Sequence, residues 1–586
     1  MEYILGISLG FNASACIMDT NQNVLYAASE ERFTNTKNCK FFPVLAIKNG
    51  IEYLGIDPKL ITTCRYSHYQ DNDIYDLYRH TYGIDKKIPK RNYPFRTDNM
   101  LNWNRNREFE QAFIRSHLYM LGIDVPEVER INHHYAHAAC SYVLSPFHGG
   151  DVQNLYVVMD GFGDGDSISM WLESENTLIK IFSAPMYQSV ALVYQFVTGA
   201  LGYKEHQHEG KLTGLAAFGD FTKYYHDFVS LYDGFENIKH DIEMESPIID
   251  FDIFTEMKKR TYALVKRITK NMSKEAAFEE SKHIAASLQA FAEDKALAFI
   301  EEVIRQHKLK HVNVMLSGGL FANVKINQKV HENIAEVENV FIAPPMGDEG
   351  TCIGAAAGKK LCHRVAGLMT NMTMRMGTSH PANDIPALMD EDLICKRVYG
   401  IDTLAKSVAK DLSENKIVCL FDGRMEFGPR ALIGRSIMYN CRDVGANDWL
   451  NKQLGRTEYM PFAPFCKVEH AADLFYNVKG KEYALKNMTV TVECTDEFIQ
   501  NYPAATHVDN TARPQVISQN ENEVAWAILD EYEAITGEKA LINTSFNLHN
   551  YPIIESPEVA ISSWKQSNTH CLYVGGGNAW YKITRK

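Results

Sequence analysis

Two histidines four residues apart open the chemical reading of this chain. In Ile131-Asn132-His133-His134-Tyr135-Ala136-His137 a helix would project His133 and His137 from one face, where a single metal ion can take both imidazoles. His134 would point about 100° away, as a packing residue or a support for the pair. Carboxylates that could complete the set stand at loop tips after apolar runs: Asp160 in Met159-Asp160-Gly161-Phe162-Gly163-Asp164-Gly165, and Asp348 in Pro344-Pro345-Met346-Gly347-Asp348-Glu349-Gly350. Two imidazoles and one or two carboxylates, with positions left open, suit Fe(II), Mn or Zn.

Glycine turns supply a second kind of chemistry. Gly10, then Gly161, Gly163 and Gly165, then Gly318 and Gly319 each follow a β-rich run. Without a Cβ the backbone can approach phosphate oxygens, so three such turns in one α/β unit point to a nucleotide. No Walker motif is present, and no G-x-G-x-x-G fingerprint follows these runs. The C-terminal third is rich in arginine. Arg424, Arg430 and Arg435 fall within twelve residues, and Arg456 and Arg513 follow. Guanidinium forks flanked by Phe, Pro and Gly suit bidentate recognition of phosphate or carboxylate. Asn543-Thr544-Ser545-Phe546-Asn547, after Ala540-Leu541-Ile542, places amides and hydroxyls at one strand end; alone it would read as a polar turn.

These groups need a scaffold of layered elements. Ile4–Gly10, Ala15–Met18 and Val24–Ser29 read as a meander of short strands, and Leu155–Met159 and Val312–Leu316 as further strands. Ala276–Ile304 carries Ile284, Leu288, Phe291, Ala296, Phe299 and Val303 at helical spacing. A new unit starts near Leu404, with a helix to Asn415 and a strand at Ile417–Phe421. Strands alternating with helices predict an α/β protein. His68–Glu108 is polar and aromatic, with a basic cluster at Lys86–Arg96; it reads as a solvated insertion loop or an acceptor-binding lid. The turn-rich Met369–Asp384 marks a domain boundary, and no internal repeat is visible.

Composition narrows the class. A chain of 586 residues is too long for one core and implies several domains. Its net charge of −13 argues against a broad nucleic-acid surface. The 12 cysteines include no C-x-x-C pair, which favours a reducing compartment. The uncharged stretch Ile181–Tyr203 carries Pro185, Gln188, Gln195 and Thr198, and reads as a buried helix rather than a membrane span. The N-terminus lacks signal-peptide features, so a cytoplasmic protein is expected.

Glu426-Phe427-Gly428-Pro429-Arg430-Ala431-Leu432, Arg456–Pro464 and Asn543–Asn547 together resemble the signature of the NodU/CmcH carbamoyltransferase family. His133-x-x-x-His137, Glu209–Ala216 and Ser317–Asn323 fit the same family, so the resemblance covers nearly the whole chain. It implies an N-terminal domain, residues 1–370, similar to tRNA threonylcarbamoyl transferase domains of the actin-like ATPase (ASKHA) superfold, with two βα subdomains. It implies a YrdC-like α/β domain over residues 371–586. The expected reaction joins carbamoyl phosphate and ATP into carbamoyl-adenylate and pyrophosphate, then moves the carbamoyl group to a hydroxyl of a natural product or sugar.

By the same resemblance, Arg430, Arg435, Arg456, Arg513, Ser545 and Asn547 would hold carbamoyl phosphate and the ATP phosphates. Asn12, Lys211, Gly318, Gly319, Asn323, Asn543 and Thr544 would face the nucleotide. His133, His137, Asp160 and Asp348 would bind the metal, Fe(2+) foremost with Mn or Zn as alternatives, and Mg(2+) would accompany ATP. No nucleic-acid or membrane partner is expected, and a homodimer is allowed.

Two departures stand out. Many relatives have a His at the first glycine turn, a base for the acceptor hydroxyl, where this chain reads Gly10-Phe11-Asn12-Ala13-Ser14; no general base is assigned. Some have Arg at Met460 and Lys near Leu454, so Lys452 is a substitute anion contact. A tRNA-modifying carbamoyl or threonylcarbamoyl transferase and a small-molecule kinase of the actin-like superfold are the alternatives. The first sits poorly with the net charge, and the second leaves the arginine-rich domain without a purpose.

Overall fold

The computed structural model describes residues 2–40, 42–68, 101–148, 151–238, 249–362, 373–446, 451 and 459–586. The chain forms mixed α/β layers. The first sheet contains β1 (Tyr3–Leu9), β2 (Ser14–Asp19), β3 (Val24–Ser29), β4 (Ile61–His68) and β5 (Val128–Arg130), in the order β3-β2-β1-β4-β5. β1 to β3 are an antiparallel meander, whereas β4 and β5 join by parallel pairing. The second sheet contains β6 (Gln153–Gly163), β7 (Asp166–Ser174), β8 (Thr177–Ala184), β9 (Val312–Ser317) and β10 (Val337–Ile342). Its order is β10-β9-β6-β7-β8, with the same antiparallel meander followed by two parallel strands.

The two sheets therefore repeat one topology that the residue sequence does not display. Topology can be duplicated where burial pattern and connection are kept, even when residue identities drift apart. β2 and β9 are buried at every position, so neither shows the in-and-out alternation of a half-exposed strand. The helix expected over Ala276–Ile304 runs Lys274–Gln306, with Ser273 accepting the Ala276 N–H as its cap. The uncharged stretch Ile181–Tyr203 is split between the end of β8 and the Val190–Ala200 helix. Among the described residues, no helix is long and apolar enough to cross a membrane.

The third sheet collects the C-terminal strands: β11 (Leu393–Tyr399), β12 (Val418–Asp422), β13 (Arg435–Asn440), β14 (Ala463–Lys467), β17 (Gln515–Ile517), β18 (Ala540–Ser545), β19 (Cys571–Gly576) and β20 (Ala579–Arg585). Their order is β11-β20-β19-β12-β13-β18-β14-β17, and β15 (Val492–Glu493) pairs with β16 (Thr511–Ala512) beside it. The segment between β14 and β15 is fastened to the N-terminal layers by buried polar contacts. Lys481, fully buried, reaches Glu332 at 2.6 Å, Asn327 donates to the Thr489 carbonyl at 2.7 Å, and the Val340 N–H meets the Gly480 carbonyl at 2.9 Å. The expected boundary at 370/371 lies outside the described residues, as does most of the His68–Glu108 insertion, whose last residues enter the Leu101–Met120 helix.

Candidate functional site

The His133–Leu144 helix starts directly after β5, where Asn132 caps it by accepting the Tyr135 N–H at 2.9 Å. Both expected histidines face the same way. His133 and His137 bring their Nε2 atoms to 3.2 Å, and both rings are buried. Asp160, in β6 of the second sheet, places Oδ2 3.3 Å from His133 Nε2, and Asp348 Oδ1 lies 3.6 Å from each Nε2. All four donor atoms fall within 4.8 Å of one another. A tetrahedral ion with bonds of about 2.1 Å separates its donors by about 3.4 Å, whereas direct hydrogen bonds settle nearer 2.9 Å. The spacing and the donor set fit a divalent metal.

Neighbouring groups lock this arrangement. Gly319 N–H donates to Asp160 Oδ1 at 2.7 Å, and Ser189 Oγ donates to the Asp160 and Gly161 carbonyls. Asp164 accepts the His133 N–H at 2.7 Å through one oxygen and Arg130 Nη2 at 2.8 Å through the other. A carboxylate at a helix N-terminus is favoured by the helix dipole. Gly354 allows the Thr351–Ala357 helix to approach the histidine helix: a Cβ there would lie 1.8 Å from the Ala136 carbonyl oxygen. Burial disfavours the His133 cation, but Asp348 and Asp160 outweigh it and raise the ring's pKa. Burial also opposes ionisation of Asp160, yet His133 and His137 hold its carboxyl well below the usual range. Two carboxylates thus impose a demand for positive charge that a divalent cation would meet. His134 turns away, to Ser169 Oγ at 2.9 Å.

The arginine-rich loops gather at one end of the third sheet. Glu426, 2% exposed, accepts the N–H groups of Leu432, Gly434 and Arg435 through Oε1, so the loop that carries Arg430 is wound around its carboxylate. Asn543 donates to the Ala431 carbonyl at 2.9 Å and to Gln515 Oε1 at 2.8 Å. It thereby ties the neighbour of Arg430 to the strand that follows Arg513. Ser545, opposite Ser436 in the β13–β18 pairing, donates to Asn547 Oδ1 at 2.6 Å. Arg430, Arg513, Thr544, Ser545 and Asn547 are all partly exposed there.

A family model for the carbamoyltransferase N-terminus matches residues 3–357, and one for the carbamoyltransferase C-terminus matches residues 409–580. The chain belongs to the carbamoyltransferase family. It is 28% identical over 577 residues to an uncharacterized protein of Methanocaldococcus jannaschii, covering 98% of each chain. It is 25% identical over 584 residues to nodulation protein NolNO of Sinorhizobium fredii, covering 96% of this chain and 78% of that one. Crystallised full-length HypF in the phosphate- and nucleotide-bound form is similar with a TM-score of 0.30 and 14% identity; the match covers 62% of this chain and little more than half, 56%, of that one.

Several residues of this carbamoyltransferase have placements that the sequence did not foresee. Arg435 is completely buried; it donates to the carbonyls of Asp422, Gly423 and Gly434 and lies 3.5 Å from the Phe421 ring centre. Burial pulls its pKa down to about 10. Its guanidinium holds the turn together rather than facing an anion. Asn323 caps the Val324–Asn333 helix and exchanges amide hydrogen bonds with Gln289, so its side chain faces protein instead of a nucleotide. Asn543 is committed in the same way. Asn12, at φ 55°, donates to Glu349 Oε2 at 3.2 Å beside Asp348. Gly318 and Gly319 border the metal donors, and Lys211 is buried on the Glu209–Ala216 helix. Arg456, Lys452 and Leu454 lie outside the described residues. The sequence assigns no role to Asp164, Glu426 or Glu349, although each lies in a motif it singles out: Asp164 in the glycine turn of Asp160, Glu349 beside Asp348, and Glu426 at the start of the signature that holds Arg430.

Proposed function

We propose that this carbamoyltransferase couples two half-reactions. Carbamoyl phosphate, water and ATP react at the C-terminal arginine site to give carbamoyl-adenylate, inorganic phosphate and pyrophosphate, and the carbamoyl group then moves to an alcohol beside the histidine–aspartate cluster, releasing AMP. The repeated meander-plus-parallel topology supports reading residues 1–370 as an actin-like, two-subdomain unit. Residues 371–586 are read as YrdC-like.

The observation that carries the proposal is the pairing of a four-donor metal cluster with a separate convergence of anion-seeking loops in one chain. A carbamoyl carbon is a weak electrophile because its nitrogen donates into the carbonyl. Carbamoyl phosphate is already a mixed anhydride, and exchanging its phosphate for AMP keeps a good leaving group on that carbon. Arg430 and Arg513, with Ser545 and Asn547, would hold the phosphate groups; Arg456 is the fifth expected contact. His133, His137, Asp160 and Asp348 would hold Fe(2+), with Mn or Zn as alternatives, and the ion would supply Lewis-acid stabilisation of negative charge. Mg(2+) would enter with ATP. Asp164 anchors the backbone N–H of His133 and Gly319 the carboxylate of Asp160, the two groups that would face the reacting carbamoyl group. The acceptor is proposed to be a hydroxyl-bearing small molecule.

The decisive measurement incubates the protein with labelled carbamoyl phosphate and ATP and separates the nucleotides. AMP with pyrophosphate is expected. ADP as the sole nucleotide product would overturn the adenylate route and favour a kinase.

A further inference from the structure

Arg32 follows β3 in the first sheet, about 400 residues before the arginine site, yet its side chain ends there. The residue is 6% exposed. Nη2 donates to the Gly428 carbonyl at 2.8 Å and Nη1 to the Ile553 carbonyl at 3.3 Å. Gly428 leads through Pro429 to Arg430, and Ile553 closes the loop that carries Ser545 and Asn547. That loop is bound to itself by Ile554 N–H to the Phe546 carbonyl at 3.1 Å and by Asn547 Nδ2 to the Tyr551 carbonyl at 2.9 Å. One buried guanidinium therefore grips both anion-seeking loops from the other half of the molecule.

The Gly428 turn also has no freedom on its other side. Its φ is +118°, and a Cβ would meet the Pro344 carbonyl oxygen at 3.0 Å. Pro344 begins the loop that delivers Asp348 to the metal cluster, and Met346 within it accepts the Gly318 N–H at 2.8 Å. The turn before Arg430 is thus held between Arg32 and the loop that leads to a metal-binding carboxylate. Buried guanidinium groups are costly without partners, and beside the two carbonyls Arg32 has the Glu31 carboxylate 3.9 Å from Nε.

We propose that Arg32 is a positioning residue for carbamoyl phosphate: it sets the spacing between the Arg430 turn and the Ser545–Asn547 loop, so that the donor's phosphate meets both at once. The inference rests on the adenylate reading above. A planar fork offers two N–H groups in fixed directions to the two carbonyls, whereas the compact ammonium of Lys does not fix their relative positions. Misplacing one anion contact weakens binding before it alters the chemistry of bound substrate.

The test is carbamoyl-phosphate-dependent exchange of labelled pyrophosphate into ATP, which needs no acceptor. In the full-length chain, Arg32→Met is expected to raise KM for carbamoyl phosphate about tenfold with kcat within about twofold, and Arg32→Lys to fall between it and wild type. Melting curves establish that each variant is folded, and if Arg32→Met is not, Arg32→Lys decides alone. A folded variant with unchanged KM, or a loss confined to kcat, overturns the clamp while leaving the adenylate route intact. Absence of exchange in the wild-type protein overturns the adenylate reading and this inference together.

Discussion

A Cβ on Gly163 would lie 2.3 Å from Cδ2 of His133 and 2.8 Å from its Cγ. The glycine closes β6 just before the hairpin to β7, and its missing side chain leaves the space that the first metal-directed imidazole occupies. Gly163→Ala must displace either the strand end or the ring. Coordination tolerates little displacement, so metal content after dialysis should fall at least tenfold, with melting temperature changed by only a few degrees. Full retention of metal by the variant would show that the ring is not set by this contact.

The two sites should fail independently. Arg513→Ala is expected to lower pyrophosphate exchange about 100-fold or more, because it would delete the charged contact to the phosphates proposed for this residue. His137→Ala should leave exchange within about threefold and abolish carbamoyl transfer. Equal damage to both steps by His137→Ala would contradict a division of labour between the sites.

Local pattern made much of this legible. His133 and His137 could be paired because helical spacing alone places them on one face, and Asp160 and Asp348 because each follows an apolar run. What could not be read was commitment inside the fold. Arg435 and Arg430 look alike in sequence, yet one is sealed under carbonyls and the other is partly exposed. Arg32 carried no local signal, since its partners, Gly428 and Ile553, meet it only through tertiary packing. The duplicated sheet was hidden for a related reason: strand order is set by long-range pairing, not by residue identity.

Glu30 gives the fold a pH dependence. It accepts the Leu45 N–H at 3.0 Å and the Ala46 N–H at 2.8 Å at the start of the Val44–Leu54 helix, two residues before Arg32. The residue is 3% exposed, and burial pushes its pKa up to about 7, against the pull of those N–H groups. A carboxyl with a raised folded-state pKa binds more protons folded than unfolded. Its contribution is therefore complete below about pH 4.5 and is lost as pH rises through about 7, an effect on the order of 3 kcal/mol for a fully buried group. Denaturant midpoints measured between pH 5 and 8 should fall with pH in the wild type and fall less steeply in Glu30→Gln, because Glu209 and Glu349, which burial also raises to about 7, remain. An unchanged slope in the variant would assign the dependence to other groups.

The contact between the halves near the arginine loops is equally tight. A Cβ on Gly214, within the Glu209–Ala216 helix, would sit 2.7 Å from the Met460 backbone nitrogen and 3.2 Å from the Tyr459 carbonyl carbon. Beside it, the Tyr203 and Tyr459 hydroxyls are 3.0 Å apart, and Tyr459 packs against the Phe278 ring. The helix and the Tyr459–Met460 segment thus meet backbone to backbone, which only glycine permits. Gly214→Val inserts three carbons where none fit, and the segment, being backbone, cannot rotate out of the way. Overpacking of this kind costs about 1–3 kcal/mol. If the intermediate passes between the halves under cover of this contact, opening it exposes carbamoyl-adenylate to water. Without any acceptor, Gly214→Val should release AMP several-fold faster than wild type at an equal rate of pyrophosphate exchange. Equal AMP release by a destabilised variant would mean that the contact stabilises the fold without shielding the intermediate.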